Sequence, residues 1–169
     1  MEEKLETKIT FKDKLIKFYQ FNKVKIFFSF IVLVAIMIST IFVQQKKEHN
    51  NNLIAEKYIK ADLNLSQDNK VEAKKLLIEI VLSENKFYSA LALNKILEKN
   101  LIDDDEKILE YFNIVENLDF KEEELDLIIF KKALFLLKIS KNSEGNKILK
   151  DLIKKNSVIK KLAEDSVLN

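Results

Sequence analysis

The 169-residue chain has no cysteine, no proline, no tryptophan, no arginine and a single glycine, Gly145. Without cysteine there is neither a disulfide framework nor thiolate chemistry, and an oxidising compartment is permitted but not required. With one glycine and no proline, the tight turns that connect β-strands are hard to build, because they draw on residues that reach positive φ or pre-set it. An all-α fold is predicted. The absence of arginine beside an excess of Lys, Asn, Ile and Phe has the mark of an AT-rich coding sequence, so the 29 lysines are no evidence for a nucleic-acid partner.

Histidine is nearly absent too. His49 lies in the polar stretch KKEHNNN with no Cys or His companion, and reads as a solvated linker residue rather than a metal ligand. There is no Ser-His-Asp or Cys-His set and no Gly-rich phosphate loop. No catalytic, cofactor-binding or metal-binding residue is assigned, no cofactor or small-molecule substrate is expected, and the chain is read as non-enzymatic.

What the chain does have is an uninterrupted apolar run. Ile26 to Val43 is eighteen residues without a charge in a chain that is 33% charged overall, and at 1.5 Å per residue it reaches about 27 Å, enough to cross a bilayer. Lys23, Lys25, Lys46 and Lys47 flank it, with Phe18, Tyr19 and Phe21 at the level of the headgroups. The run is longer than the apolar core of a cleaved signal peptide, and no A-x-A-like site follows it. It is therefore read as an uncleaved signal anchor, residues 26–43.

Orientation rests on lysines. Within twenty residues of the run, six lie on the N-terminal side (Lys8, Lys12, Lys14, Lys17, Lys23, Lys25) and four on the other (Lys46, Lys47, Lys57, Lys60). Residues 1–25 carry seven Lys and four acids, net +3, against 22 Lys and 23 acids, net −1, over residues 44–169. Positive charge stays inside, so residues 1–25 are expected in the cytoplasm and the remainder outside, although Lys46 and Lys47 oppose that bias. Phe11, Leu15, Phe18 and Asn22 share a helical spacing that suits an interfacial helix, yet a lysine-rich stub needs no role beyond fixing orientation. Ala35 and Ser39 make a small-xxx-small pair of the kind that lets two spans approach, a pattern also common by chance.

Beyond a polar neck, residues 44–50, the stretch 51–169 is long enough for one domain with a modest core. Asn69 with Glu72, Asp103 with Glu106 and Asp119 with Glu122 have the spacing of capping boxes. Helices are predicted over 51–66, 70–84, 87–100, 104–117, 120–140, 143–155 and 158–167, joined by links of two to five residues that make neighbours antiparallel. The acidic clusters Asp103 to Glu106 and Glu122 to Glu124 suit first helical turns rather than metal sites, since no EF-hand spacing surrounds them. The run Leu125 to Ile139 is broken by Lys131 and Lys132, too short on either side to span a membrane. Leu127, Ile128, Phe130, Leu134, Phe135 and Leu137 spread around it, so it is read as a buried central helix whose mid-helix charge faces water.

Internal similarity organises this region. Val71-Glu72-Ala73-Lys74-Lys75-Leu76-Leu77 recurs as Ser143-Glu144-Gly145-Asn146-Lys147-Ile148-Leu149, and Lys75-Leu76-Leu77 matches Lys107-Ile108-Leu109. Helix pairs of this kind bury their apolar faces only by stacking, which predicts a short α-solenoid. Ala61 and Ala73 sit where paired helices of a tetratricopeptide repeat (TPR) touch, with Leu77 at a large-residue position and Tyr58 an aromatic early in the first helix. Ile80, Asn85 and Lys95 depart from that pattern, so the array resembles a degenerate, TPR-like one.

Lysine-rich N-terminus, one anchor, polar neck, then Ala55, Tyr58 and Ala61, Glu72 to Leu77, and Tyr88, Leu91, Ala92 and Leu93: this layout resembles the bacterial ancillary subunit of the SecYEG translocon. The resemblance implies an inner-membrane protein with a periplasmic TPR-like domain, the translocon and periplasmic chaperones as partners, and no catalysis. Two other readings stay open: an adaptor facing the cytosol, and an assembly factor of the envelope or division machinery. In helix-pair solenoids the first helix of each pair commonly lines the concave face. Lys57, Asn64, Asn94 and Lys95 are exposed candidates there, equally consistent with ordinary surface, and no partner-binding site is assigned.

Overall fold

The structure, a computed structural model, describes residues 11–167; Lys8 and the C-terminal Asn169 lie outside the described residues. Seven α-helices and no strand are found among them: α1 (Phe11–Ser66), α2 (Lys70–Leu82), α3 (Lys86–Glu98), α4 (Asp105–Glu116), α5 (Glu122–Lys138), α6 (Asn142–Lys154) and α7 (Lys160–Ser166). The chain divides into two units, Met1–His49 and Asn50–Asn169.

In the first unit, α1 carries the apolar run, and the helix is unbroken through the predicted neck at 44–50. It is the one described helix long and apolar enough to cross a membrane. Its large side chains are exposed throughout, from Ile26 to Val43. Within the run, Ser39 Oγ bonds back to Ala35 O at 2.9 Å and Thr40 Oγ1 to Met37 O at 2.8 Å.

The second unit is built by short helices whose starts are chemically marked. Asn69 caps α2, its side chain accepting from the Glu72 amide. Two predicted caps are shifted. Asp104, not Asp103, caps α4, accepting from the Lys107 amide at 3.1 Å. At α5 the chain uses Lys121 rather than Asp119, and Glu124 rather than Glu122 accepts from the Lys121 amide at 3.1 Å. Lysine has no acceptor, so only the backward half of a capping box forms there. Asn85, noted in the sequence for occupying a proline position, is the N-cap of α3 and accepts from the Tyr88 amide at 3.0 Å.

The helix ends are unusual for a chain with one glycine. Asp68, Glu84, Asn100, Ser140 and Asn156 all adopt positive φ, between 45° and 62°. Four of these ends are closed by a bond from the next amide to the carbonyl five residues back, as in Asn69 to Asn64 at 2.8 Å and Lys141 to Leu136 at 2.9 Å. At the end of α2 the buried Ser89 hydroxyl of α3 lies 2.9 Å from Ile80 O and 3.1 Å from Val81 O, adding a side-chain donor to carbonyls that also accept from the Ser83 and Glu84 amides.

Two apolar clusters form the interior. The larger joins α1 to α5 around Leu77, Ile80, Ile96 and Phe112; the smaller joins α5 to α7 around Phe130, Ala133, Leu149 and Leu152. Each fully buried Leu, Ile or Phe contributes about 1.5–3 kcal/mol. α5 serves both clusters, Ile128 and Phe135 facing the first and Phe130 and Ala133 the second, which is why its apolar residues spread around the helix. Leu127 and Leu134, predicted in that core, are instead 42% and 38% exposed. The mid-helix charges do not simply face water: Lys131 and Lys132 are both half-buried and bonded to neighbouring helices.

α3 lies between α1 and α5. Toward α1, Lys95 pairs with Asp62 at 3.1 Å, Tyr88 meets Tyr58 with ring centroids 5.9 Å apart, and Asn85 donates to Asn51. Toward α5, Lys86 pairs with Glu124 at 3.1 Å and Asn94 accepts from Lys131 at 2.9 Å. The small residues Ala61 and Ala73 are fully buried, as their positions in the sequence predicted.

Candidate partner-binding cleft between α3 and α5

Of the four positions expected to be exposed, only Lys57 is; Asn64, Asn94 and Lys95 are half-buried, and all four have partners within the chain. Lys57 pairs with Glu79 of α2 at 2.8 Å, and Lys95 pairs with Asp62. Asn64 donates to Lys60 O and accepts from Asn69, while Asn94 is the acceptor for Lys131. The Asp62 bond is the main reason the Lys95 ammonium holds its proton more tightly than usual. The acidic clusters are engaged likewise: Glu106 pairs with Lys141 at 2.8 Å, Glu122 with Lys155 at 2.9 Å and Glu124 with Lys86. Among the described residues no group of three or more His, Asp or Glu side chains is placed to hold a metal ion.

A cleft of about 340 Å³ opens between α3, the start of α4 and α5. Ile96, Ile102, Ile108 and Phe135 form its buried floor, and Leu97, Leu134 and Ile139 stand nearer its mouth. α5 presents Lys131, Leu134 and Lys138 to it, the i, i+3, i+7 spacing that puts three side chains on one helical face. Each lysine is held by a carboxamide of the α3 side: Lys131 Nζ donates to Asn94 Oδ1 at 2.9 Å, and Lys138 Nζ to Asn100 Oδ1 at 3.2 Å.

Neither ammonium has a carboxylate within ion-pair distance among the described residues, unlike Lys132, which pairs with Glu116 at 2.9 Å one residue further on. Burial without a compensating charge pushes the Lys131 pKa down. Asparagine supplies an acceptor but no negative charge. The cleft therefore keeps two lysine donors, flanking an apolar side chain, with their charge unneutralised by a direct partner.

A second cleft of about 560 Å³ lies among α4, α5 and α6. It is lined by both signs of charge, and its Glu106 and Lys141 already pair with each other. Sequence reasoning passed over the α3/α5 cleft because Leu134 had the look of core and Lys131 of surface. The signal was nonetheless present: a lysine at the centre of an apolar run has to find a polar neighbour on another helix.

Compared with known proteins, the chain matches no family model, no curated protein and no solved structure.

Proposed function

We propose that this chain is a non-enzymatic, single-pass membrane protein whose helical domain binds protein partners. The observation that carries the reading is the pairing of an exposed apolar run in α1 with a domain, residues 50–169, in which a cleft presents two lysines and an apolar side chain. Such a cleft offers charged and apolar groups suited to binding a polypeptide segment.

The finer assignment rests on the sequence resemblance: a TPR-like domain in the periplasm, an accessory role at the Sec translocon of the inner membrane, and contacts to periplasmic chaperones. The side-chain links from α1 to α3 to α5 agree with stacked helix pairs. The lysine bias supports a cytoplasmic N-terminus. Lys46 and Lys47, close to the apolar run on its other side, favour the opposite orientation with a cytosolic domain, which stands as the second reading.

A reporter active only in the periplasm, fused after Asn169, is expected to be active, and activity of a cytosol-only reporter there would select the second reading. Crosslinking in mild detergent is expected to recover translocon components together with periplasmic folding factors. Recovery of division or cell-wall proteins alone would instead make the chain an envelope assembly factor.

A further inference from the structure

We infer that the cleft between α3 and α5 is the docking site for an extended acidic segment of a partner protein, of the pattern acid-x-apolar-x-acid. The inference rests on the protein-binding reading of the helical domain and names the chemistry of what it binds.

The pattern follows from α5. Lys131 and Lys138 are separated by seven residues, about 10.5 Å of helix rise, with Leu134 between them. In an extended segment, residues i, i+2 and i+4 face one way and span about 13 Å. Each ammonium is held by a single carboxamide bond, so the lysine stems can adjust over the few ångströms of difference. One carboxylate then meets each ammonium, and the middle side chain lies on Leu134 and enters toward the apolar floor.

Charge complementarity selects an acidic occupant. Asn94 and Asn100 hold both ammoniums in place without neutralising them. The lining also includes one carboxylate, the exposed Asp105, which pairs with neither lysine, so the cleft keeps one net positive charge. A nucleic acid or an anionic membrane would need a broad positive field, and residues 44–169 carry 22 Lys against 23 acids. A segment with two carboxylates and one apolar side chain matches both the charge and the floor.

The lowered Lys131 pKa is consistent with such a site, since a charge kept where burial disfavours it is stabilised when a carboxylate arrives.

The test is fluorescence anisotropy on the full chain in detergent micelles, with a labelled peptide Ser-Glu-Ser-Leu-Ser-Glu-Ser and two controls, one with Lys for Glu and one with Ser for Leu. Saturable binding is expected for the first peptide, weakening at about 0.5 M salt, with both controls at least tenfold weaker. The double variant Lys131→Gln/Lys138→Gln is expected to lose about tenfold or more in affinity while melting close to wild type. Asp105→Asn is expected to tighten binding. Equal affinity for the Glu and Lys peptides, absence of saturable binding, or wild-type affinity in a folded double variant would each overturn the inference. Recovery of translocon components by crosslinking in those circumstances would leave the scaffold reading standing, so the two ideas fail separately.

Discussion

Asp126, on the first turns of α5 and only 2% exposed, meets the ammonium of Lys155, the C-cap residue of α6, at 2.9 Å. The same ammonium reaches Glu122 at 2.9 Å. It also stands at the C-terminal end of α6, where the helix dipole favours a cation. One lysine thus neutralises a buried carboxylate and closes the α5/α6 pair. Lys155→Met would leave the buried Asp126 uncompensated, so thermal melting should show a clear loss of stability. Asp126→Asn should cost less, because no charge is then left stranded. A Lys155→Met protein melting with wild type would show that water, rather than Lys155, solvates Asp126.

The Lys155 pKa is raised, chiefly by the Asp126 bond and then by Glu122. A raised lysine pKa gives stabilisation that is fully present below the ordinary lysine value of about 10.4 and is lost as pH rises through the folded value. Glu124 behaves in the opposite sense. Its pKa is lowered first by the Lys121 amide and then by Lys86, so its contribution is present above the ordinary glutamate value of about 4.3 and is lost as pH falls through the folded value. The melting difference between wild type and Glu124→Gln should therefore be present at neutral pH and close in acid. A difference that stayed constant across that range would place the stabilisation elsewhere.

Gly145 is needed for contact rather than for a turn. A Cβ there would stand 2.7 Å from Leu137 Cδ2 and 2.9 Å from the Ala133 carbonyl oxygen. The leucine can rotate, but the backbone oxygen of α5 cannot move aside without shifting the helix. Gly145→Ala gains about 1 kcal/mol in helix propensity and loses about 1–3 kcal/mol to overpacking. Net destabilisation in denaturant titration is the expected outcome, and a stabilised variant would show that α5 and α6 separate easily.

Glu84 and Ser140 hold φ of 55° and 62°, a region that glycine enters freely and that side chains with a Cβ resist. Glu84→Gly and Ser140→Gly should each raise stability by about 0.5–1 kcal/mol, since the relief of strain exceeds the added chain entropy at a helix terminus. Asn100→Gly and Asn156→Gly should gain less, because asparagine tolerates the left-handed region. Equal gains at all four positions would contradict this ordering.

Lys131 is held in the cleft at some expense to the fold. Burial lowers its pKa with no opposing carboxylate, so Lys131→Met, which keeps the stem and removes the charge, should raise the melting temperature by about 1–3 °C near neutral pH. That gain should shrink as pH rises through the lowered folded pKa, where the native ammonium sheds its proton. A lower melting temperature would mean that the Asn94 bond outweighs the desolvation.

Much of the helical layout was legible because its causes are local. Asn69 announces α2 by a hydrogen bond three residues ahead, and the apolar run from Ile26 to Val43 needs no partner to be recognised. Errors arose where neighbouring residues offered equivalent chemistry. Asp103 and Asp104 are both acceptable caps, and only the path of the six-residue link from α3 chose the second. Asp119 lost to Lys121 because Glu124 reaches back from inside the helix.

By itself the sequence determined an all-helical chain with one apolar segment able to cross a membrane, since absent turn residues, cap chemistry and hydrophobic length act within a few residues of the chain. Tertiary structure alone decided which side of α5 is covered. Burial is a property of pairs of helices, so Leu134 became part of an open cleft while Phe135 entered the core. Charge was decided the same way: Lys132 found Glu116 and Lys155 found Asp126, whereas Lys131 and Lys138 found only asparagines, because an ion pair depends on which helix arrives opposite and not on the residues adjacent in the chain.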